Sequence, residues 1–278
     1  MKIFEMPRWA PLDPTLEIPA ADSRNIRYDM ECPKEPTDSK QGQSGVYSGL
    51  KGNFVYHSQT EYIALHFLDF NSNVAVIRTQ YPFYDEAEFA RRYTSRASIP
   101  PNFAPTIDID VGVVLPGRRD LHQHGVSCKE TESDFEKKDA KARAGRELAF
   151  YTRIRGTWES VVKAYFPETE LGNYMFIKRN ILHTDIHEVQ GAAFSVAETL
   201  KKSKARGTLR DKVNRVARRS AISPDHAFRL ICVAIYLGHL RIDHRYSFEM
   251  DSPFQLASGN VYLFANEPES LPWGFEDE

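Results

Sequence analysis

The chain has 278 residues, and 41% of them are hydrophobic, which is enough apolar material for a packed core and excludes a disordered chain. Its formal net charge of −2 excludes attraction to nucleic acid through overall charge alone. Three separated cysteines without C-x-x-C spacing, Cys32, Cys128 and Cys232, argue against a disulfide framework or a structural zinc site. No apolar run reaches membrane-spanning length and the first residues lack a signal-peptide core, so we expect a soluble cytoplasmic protein.

Local composition divides the chain into three predicted parts. Residues 1–45 are rich in Pro, Asp, Lys, Ser and Gln and are predicted to form an N-terminal extension. Helix and strand patterns alternate over 46–184, which predicts an α/β domain with a mixed sheet flanked by helices. Residues 185–278 are predicted to form a helical, winged-helix-like domain with an acidic tail, NEPESLPWGFEDE.

The first clear element is a helix predicted over 58–70, SQTEYIALHFLDF. Ser58 suits the N-cap, and Ile63, Phe67 and Phe70 lie along one helical face. The same stretch fits a capping box, in which a glutamate three residues after the cap reaches back to the start of its own helix.

Extended patterns follow this helix. Strands are predicted over 73–83 (NVAVIRTQYPF), 105–116 (PTIDIDVGVVLP) and 121–129 (LHQHGVSCK). The turn PGRRD joins the last two and makes them neighbours. A helix is predicted over 132–151, and a further strand over 173–184 (NYMFIKRNILHT). The residues predicted to face inward from the helix are Phe135, Ala142 and Ala149.

The last part of the chain is predicted to form three helices and a hairpin. The helical segments are DIHEVQGAAFSVAETLKK, TLRDKVNRVARRS and SPDHAFRLICVAIYLG, and LRIDHRYSFEM then alternates like a strand. Three helices followed by such a wing predict a winged helix-turn-helix. The residues predicted to meet DNA or a protein partner are Lys212, Arg215, Arg218, Arg219 and Arg241. The alternative is a basic face that only meets solvent.

Strand periodicity predicts a cluster of charged side chains at one edge of the sheet. Because alternate residues of a strand point to opposite faces, Asp108 and Asp110 share a face, and so do Ser127 and Lys129. The residues predicted on the opposite face are Ile107, Ile109, Val111, Val126 and Cys128. If the two strands are neighbours, two carboxylates and one lysine meet.

Helix-borne acids extend this cluster. Glu61 precedes the two strands and Glu147 follows them. Carboxylate oxygens are hard ligands that suit Mg²⁺ or Mn²⁺, and a lysine beside such an ion can stabilise the charge that grows on a phosphate during hydrolysis. The pattern is therefore typical of phosphodiester hydrolysis. The alternatives are that Glu61 only caps its helix and that Lys129 is the first charge of a solvated helix.

The order of these motifs resembles the restriction-endonuclease-like superfamily and, more closely, the TnsA family of endonucleases from bacterial Tn7-like heteromeric transposases. The matching pieces are SQTEYIALHFLDF, VIRTQYPF, PTIDIDV and SCKETESDFEKK. The resemblance implies that Glu61, Asp108 and Lys129 are catalytic and that Glu61 and Asp108 bind the metal. It implies a structural role for Gln80. Ser127 stands where most of the superfamily has an acid, so Asp110, Ser127 and Glu147 are further candidate ligands.

The resemblance also implies a division of labour. A TnsA protein, with Mg²⁺ or Mn²⁺, cuts the 5′ ends of the element, while TnsB, an integrase-type transposase, cuts and joins the 3′ ends and TnsC, an AAA+ regulator, links both to target choice. The partners expected are therefore transposon-end DNA, TnsB and TnsC. Two rival hypotheses stay open at this point: a stand-alone restriction or repair endonuclease, and a winged-helix DNA-binding regulator whose nuclease domain is inactive.

Overall fold

A computed structural model describes residues 1–5, 43–83, 91, 94, 95, 105–115, 121–203 and 207–257. Most of the predicted N-terminal extension, the turn at 116–120, Cys32 and the acidic tail lie outside the described residues. The chain divides into two compact units. The first comprises Met1–Ile3 and the described parts of Leu16–Ala64 and Val74–Tyr165. The second comprises Leu65–Asn73 and the described parts of Phe4–Thr15 and Phe166–Glu278.

The first unit contains a mixed four-stranded sheet. The described strands of this unit are β1 (Gly45–Ser48), β2 (Asn53–Tyr56), β3 (Val74–Pro82), β4 (Thr106–Val114), β5 (Leu121–Lys129) and β6 (Thr157–Val162). β1 and β2 form a separate antiparallel pair, and the sheet has the order β3-β4-β5-β6. All neighbours in this sheet are antiparallel except β5 and β6, which run parallel. The three strands predicted before residue 130 are therefore confirmed, and two of them are neighbours as expected.

The helices of the first unit differ in part from the prediction. Helix α1 (Gln59–Asp69) begins where expected, and the Ser58 hydroxyl accepts the Glu61 N–H at 3.2 Å. The single helix predicted over 132–151 is two helices, α2 (Glu132–Glu136) and α3 (Lys138–Arg153), because Lys137 between them has an extended backbone. The inward face was also predicted wrongly. Ala142 and Ala149 are exposed and Phe135 is half-buried.

The buried residues of α3 are Glu147 and Tyr151. A prediction from apolar spacing fails here because this helix packs its polar side chains against polar groups of the sheet, as the site below shows.

The second unit is mainly helical in its described residues up to Tyr236. Besides the end of α1 from Leu65 onward, it contains α4 (Glu168–Ile181), α5 (Ile186–Lys202), α6 (Leu209–Ser220) and α7 (Pro224–Tyr236). The strand predicted over 173–184 is wrong, because α4 covers most of this segment. Tyr174, Ile177 and Ile181 are buried at helical spacing, and a short apolar run of this kind fits either structure when it is judged by sequence alone.

The three helices predicted after residue 184 are confirmed. The Ser223 hydroxyl accepts the His226 N–H at 3.2 Å as the N-cap of α7, and Gly238 ends the segment with φ 75°. No strand forms over 240–250, so the predicted wing strand is wrong. The segment turns instead: the Tyr246 N–H bonds the Asp243 carbonyl at 3.1 Å, and the Asp243 carboxylate accepts the Arg245 N–H at 3.1 Å. Such local bonds compete with strand pairing.

Within residues 237–257, the strand-like pairing consists of two isolated bridges, Pro253 with Thr208 and Ile242 with Leu256. None of the helices in the described part of the chain is long and apolar enough to cross a membrane.

Candidate active site

Glu61 lies in the first turn of α1 and is buried. Its carboxylate accepts the His57 N–H at 2.9 Å and the Ser58 hydroxyl at 3.0 Å. Glu61 therefore does cap its own helix, as the capping-box interpretation predicts. Capping does not account for the third donor, the side-chain amide of Gln80 from β3, which lies 3.3 Å from the carboxylate. Glu61 thus connects the start of α1 to the edge of the sheet.

Asp108 lies on β4 and is also buried. One carboxylate oxygen, Oδ2, accepts the backbone N–H of Cys128 at 2.8 Å across to β5. The other, Oδ1, accepts from the Arg143 guanidinium at 2.7 Å. A carboxylate offers about four acceptor positions, so Asp108 is held firmly and still has lone pairs for another partner.

Lys129 ends β5 beside this acid. Its Nζ atom lies 4.0 Å from Asp108 Oδ2 and donates to the Cys128 carbonyl at 3.1 Å. The side chain is 25% exposed and its ammonium lies 5.8 Å from the centre of the Phe135 ring. Lys129 is therefore a partly buried cation next to Asp108, and not only the first charge of a solvated helix. We call the acids Glu61, Asp108 and Glu147 the acidic cluster.

Helix α3 supplies three side chains that sequence reasoning did not group. Arg143, Glu147 and Tyr151 are spaced four residues apart, so they lie on one helical face. Arg143 binds Asp108, the Glu147 carboxylate accepts the Ser127 hydroxyl, and the Tyr151 hydroxyl donates to Asp110 at 2.6 Å. Arg143 was missed in the sequence analysis. The sequence signal that could have indicated Arg143 is its position four residues before Glu147, which allows an ion pair along the helix.

Asp110 has partners of its own. Its carboxylate binds the Arg78 guanidinium, with the closest atoms 2.5 Å apart, and accepts the Tyr151 hydroxyl. The side chain is fully buried. A buried carboxylate that is paired and hydrogen-bonded in this way is satisfied. Asp110 shares the α3 side of the sheet with Asp108, as the alternation predicts, but its contacts are those of an ion pair inside the core.

The regular alternation of β4 fails next to Asp108. Ile107 was predicted on the opposite face, yet it packs with Tyr151 and Tyr81. Opposite this point Gln80 has φ 51°, in the left-handed region, and the strand pairing passes from Thr79 to Tyr81 on either side of it. A non-glycine residue in this region is uncommon and is often found at functional sites. The distortion directs the Gln80 amide at Glu61.

Burial and the charges of the buried acids shift the pKa values of several groups in the site. Burial, and then the charge of Asp108, raise the pKa of Glu61 to about 7, although the His57 N–H, the Ser58 hydroxyl and Lys129 act in the other direction. Burial lowers the pKa of Arg143, but the charges of Asp108 and Glu147 outweigh this effect and hold the pKa above its ordinary value. Burial, and then the charges of Asp108 and Glu61, also raise the pKa of the Cys128 thiol. The site therefore contains closely spaced negative charge.

This donor set fits a divalent cation such as Mg²⁺. Mg²⁺ is usually held by one or two carboxylates together with water, and Glu61 and Asp108 are two buried carboxylates whose mutual repulsion a cation would relieve. Glu147 and Asp110 are engaged with Arg143 and Arg78. In the described residues there is no group of three or more His, Cys, Asp or Glu side chains placed to hold a metal ion.

The basic helix predicted to meet DNA or a partner is α6 in the second unit. Arg215, Arg218, Arg219 and Arg241 are exposed, but Lys212 is buried. Burial is the largest cause that lowers the pKa of Lys212. Arg215 donates to the Ser203 hydroxyl and Arg218 to the Asn214 carbonyl. The exposed cations of α6 are therefore four arginines, Arg210, Arg215, Arg218 and Arg219, of which Arg210 pairs with Asp251.

The sequence matches no family model and has no significant similarity to a curated protein.

Proposed function

We propose that this chain is a Mg²⁺-dependent DNA endonuclease of the TnsA kind, with a restriction-endonuclease-like first unit and a second unit that meets DNA or partner proteins. It would cut the 5′ ends of a Tn7-like transposon while TnsB processes the 3′ ends and TnsC controls the target. The observation that carries the proposal is the meeting of Glu61 from α1, Asp108 from β4 and Lys129 from β5. Lys129 Nζ lies 4.0 Å from Asp108, and the charge of Asp108 acts on Glu61.

Each residue has a role that its contacts support. Glu61 and Asp108 would hold the cation, which when bound would neutralise phosphate charge and make an attacking water more acidic. Asp108 is fixed in place by the Cys128 N–H and by Arg143. Lys129 presents a partly exposed positive charge beside Asp108, where it can orient water and stabilise charge on the phosphate. In the hydrolysis the water oxygen bonds to phosphorus, one ester P–O bond breaks, and the proton from water passes to solvent while the leaving oxygen is protonated.

Lys129→Ala is the variant that tests this proposal. Lys129 is partly exposed and near carboxylates, so its removal leaves the fold intact, whereas loss of one preorganised charge at a reacting phosphate lowers the cutting rate by about a hundredfold or more. With TnsB and TnsC present, 3′ joining continues while 5′ cutting stops. The products then shift from simple insertions to joined cointegrates, which junction sequencing detects.

Lys137→Ala is the matched control, because Lys137 is an exposed lysine of the same unit that pairs with Asp134 outside the acidic cluster. It should give wild-type products. A normal share of simple insertions from Lys129→Ala would contradict the catalytic role of this lysine. Purified wild-type chain that cuts DNA without partners would favour the stand-alone nuclease, and DNA binding without cutting under any condition would favour the inactive regulator.

A further inference from the structure

Arg143 on α3 binds two acids, Asp108 on β4 and Glu147 on its own helix. Its guanidinium reaches Asp108 Oδ1 at 2.7 Å and Glu147 Oε1 at 2.7 Å, and it also donates to the Thr106 carbonyl at 3.0 Å. The planar fork of arginine is suited to spanning two acceptors, which the point charge of a lysine cannot do in the same geometry. One fixed cation therefore bridges a candidate metal ligand and a second acid.

The second acid depends on this bridge. The Glu147 side chain is fully buried, and its Oε2 atom accepts the Ser127 hydroxyl and the Trp158 indole N–H, the latter at 3.0 Å. Arg143 is the cation that pairs with Oε1. A buried carboxylate needs such a partner, because an uncompensated charge in the interior is strongly unfavourable. If Arg143 were absent, Glu147 and Asp108 would together present carboxylate oxygens to any available cation.

The charge balance limits how many ions the cluster can take. Counted by formal charge alone, the three carboxyl groups of Glu61, Asp108 and Glu147 and the two cations Lys129 and Arg143 sum to one negative charge. One divalent ion changes the sign of this balance, and a second would leave several positive charges together in a largely buried site. The pair formed by Asp110 and Arg78 is balanced separately.

We propose that Arg143 takes the place of a second metal ion, so that the site binds a single divalent cation at Glu61 and Asp108. The inference rests on the proposed function only in requiring that the site binds a divalent cation. Ser127 fits this scheme, because its hydroxyl donates to Glu147 and so supports the arginine-paired acid instead of adding a ligand.

Counting bound Mn²⁺ ions on the full chain tests the inference. Free Mn²⁺ is followed by electron paramagnetic resonance during titration, and circular dichroism checks that each variant is folded. The wild type should bind one ion per chain. Arg143→Ala should bind two, because Asp108 Oδ1 and Glu147 lose their bridging cation. Its first ion should also bind about tenfold more tightly, since removing a nearby positive charge favours any cation. Arg143→Lys retains the charge and should bind one.

Two controls separate this role from simple fastening of the helix. Arg146→Ala removes an exposed arginine of the same helix and should leave one ion with unchanged affinity. Arg143→Ala combined with Glu147→Gln removes the second acid as well and should return the count to one. If Arg143→Ala lacks native circular dichroism, Arg143→Gln, whose amide can still donate to Glu147, replaces it with the same expected count of two.

The outcomes distinguish this inference from the proposed function. Two ions on the wild type, or only one ion on folded Arg143→Ala at any affinity, would overturn the role given to Arg143. No ion on the wild type would overturn the metal-dependent nuclease and this inference with it. One ion on the wild type and two on Arg143→Ala, without 5′ cutting by the wild type in the presence of TnsB and TnsC, would leave the inference standing and refute only the proposed function.

Discussion

Replacing Glu61 with glutamine separates its two roles, since it removes the charge and keeps the shape. The carboxylate has three donors around it: the His57 N–H, the Ser58 hydroxyl and the Gln80 amide. A glutamine oxygen can accept from His57 and Gln80, and the glutamine NH₂ can donate to Ser58, because a hydroxyl can reverse its role. Glutamine also suits this position of a capping box. The fold around α1 should therefore survive.

The pKa of Glu61 gives the size of the stability change without metal. Its pKa rises from 4.5 to about 7, so the folded protein binds the proton more tightly than the unfolded chain. The contribution of Glu61 to the free energy of unfolding is then greatest below pH 4.5 and is lost as the pH rises toward 7. Because one pKa unit corresponds to about 1.4 kcal/mol, the ionised carboxylate lowers the free energy of unfolding by up to about 3 kcal/mol above pH 7.

We expect that in EDTA at pH 8 Glu61→Gln unfolds in urea with a free energy higher than that of the wild type by about 1–3 kcal/mol. The difference should be small near pH 4.5, where wild-type Glu61 is protonated in the folded state and half protonated in the unfolded chain. The same variant should cut 5′ ends at least about a hundredfold more slowly, because an amide gives a metal no anionic oxygen.

Glu130→Gln is the matched control, since Glu130 is an exposed glutamate near the same helix, where it accepts from Thr60. It should change neither stability nor cutting by a comparable amount. Lower stability of Glu61→Gln at pH 8 would refute the electrostatic reasoning, and retained cutting would remove Glu61 from the site.

Two further predictions concern α6 and the packing of α3. Replacing Arg218 and Arg219 together with alanine should weaken binding to transposon-end DNA and reduce the slope of log affinity against log salt by about one unit for each phosphate that is no longer bound, measured by fluorescence anisotropy. The control replaces two exposed lysines at the end of α5, Lys201 and Lys202. An unchanged slope in the arginine variant would assign this face to a protein partner or to solvent. Gly125→Ala should lower the free energy of unfolding by about 2 kcal/mol or more, because the new Cβ would overlap the Tyr151 ring. Gly145→Ala on α3 should instead raise the free energy of unfolding by up to about 1 kcal/mol, because a Cβ added there would have no atom of another part of the protein within 4 Å. Equal effects of the two substitutions in urea denaturation would contradict the close packing of Tyr151 on Gly125.

Strand periodicity in the sequence was sufficient to predict which site residues lie together on neighbouring strands. A strand alternates its side chains every two residues, and a short connection makes neighbours probable, so Asp108 and Lys129 could be placed together from sequence. Capping chemistry placed Glu61 at the start of a helix for the same reason, because the Ser58 cap involves only a few adjacent residues.

The same local rules failed where packing decides the outcome. The segment after Asn173 carries apolar residues that suit a strand or a helix, and burial of Tyr174, Ile177 and Ile181 on one side makes it helical. The expected inward alanines of α3 are exposed for a related reason. The alanines were expected inward because apolar residues usually face the core, but the surface of the sheet that this helix covers is polar.

The sequence by itself determined the strands β3, β4 and β5, the helix caps at Ser58 and Ser223, and the shared edge that carries Asp108 and Lys129, because hydrophobic period and capping depend on residues close in the chain. Only the tertiary structure decided that Arg143 bridges Asp108 to Glu147 and that Asp110 pairs with Arg78. The contact between Arg143 and Asp108 requires α3 to approach the sheet, which it does over Gly125, whereas Asp110 and Arg78 lie opposite each other on β4 and β3. Which buried acid finds which cation follows from that approach, since each charge in the interior must have a partner.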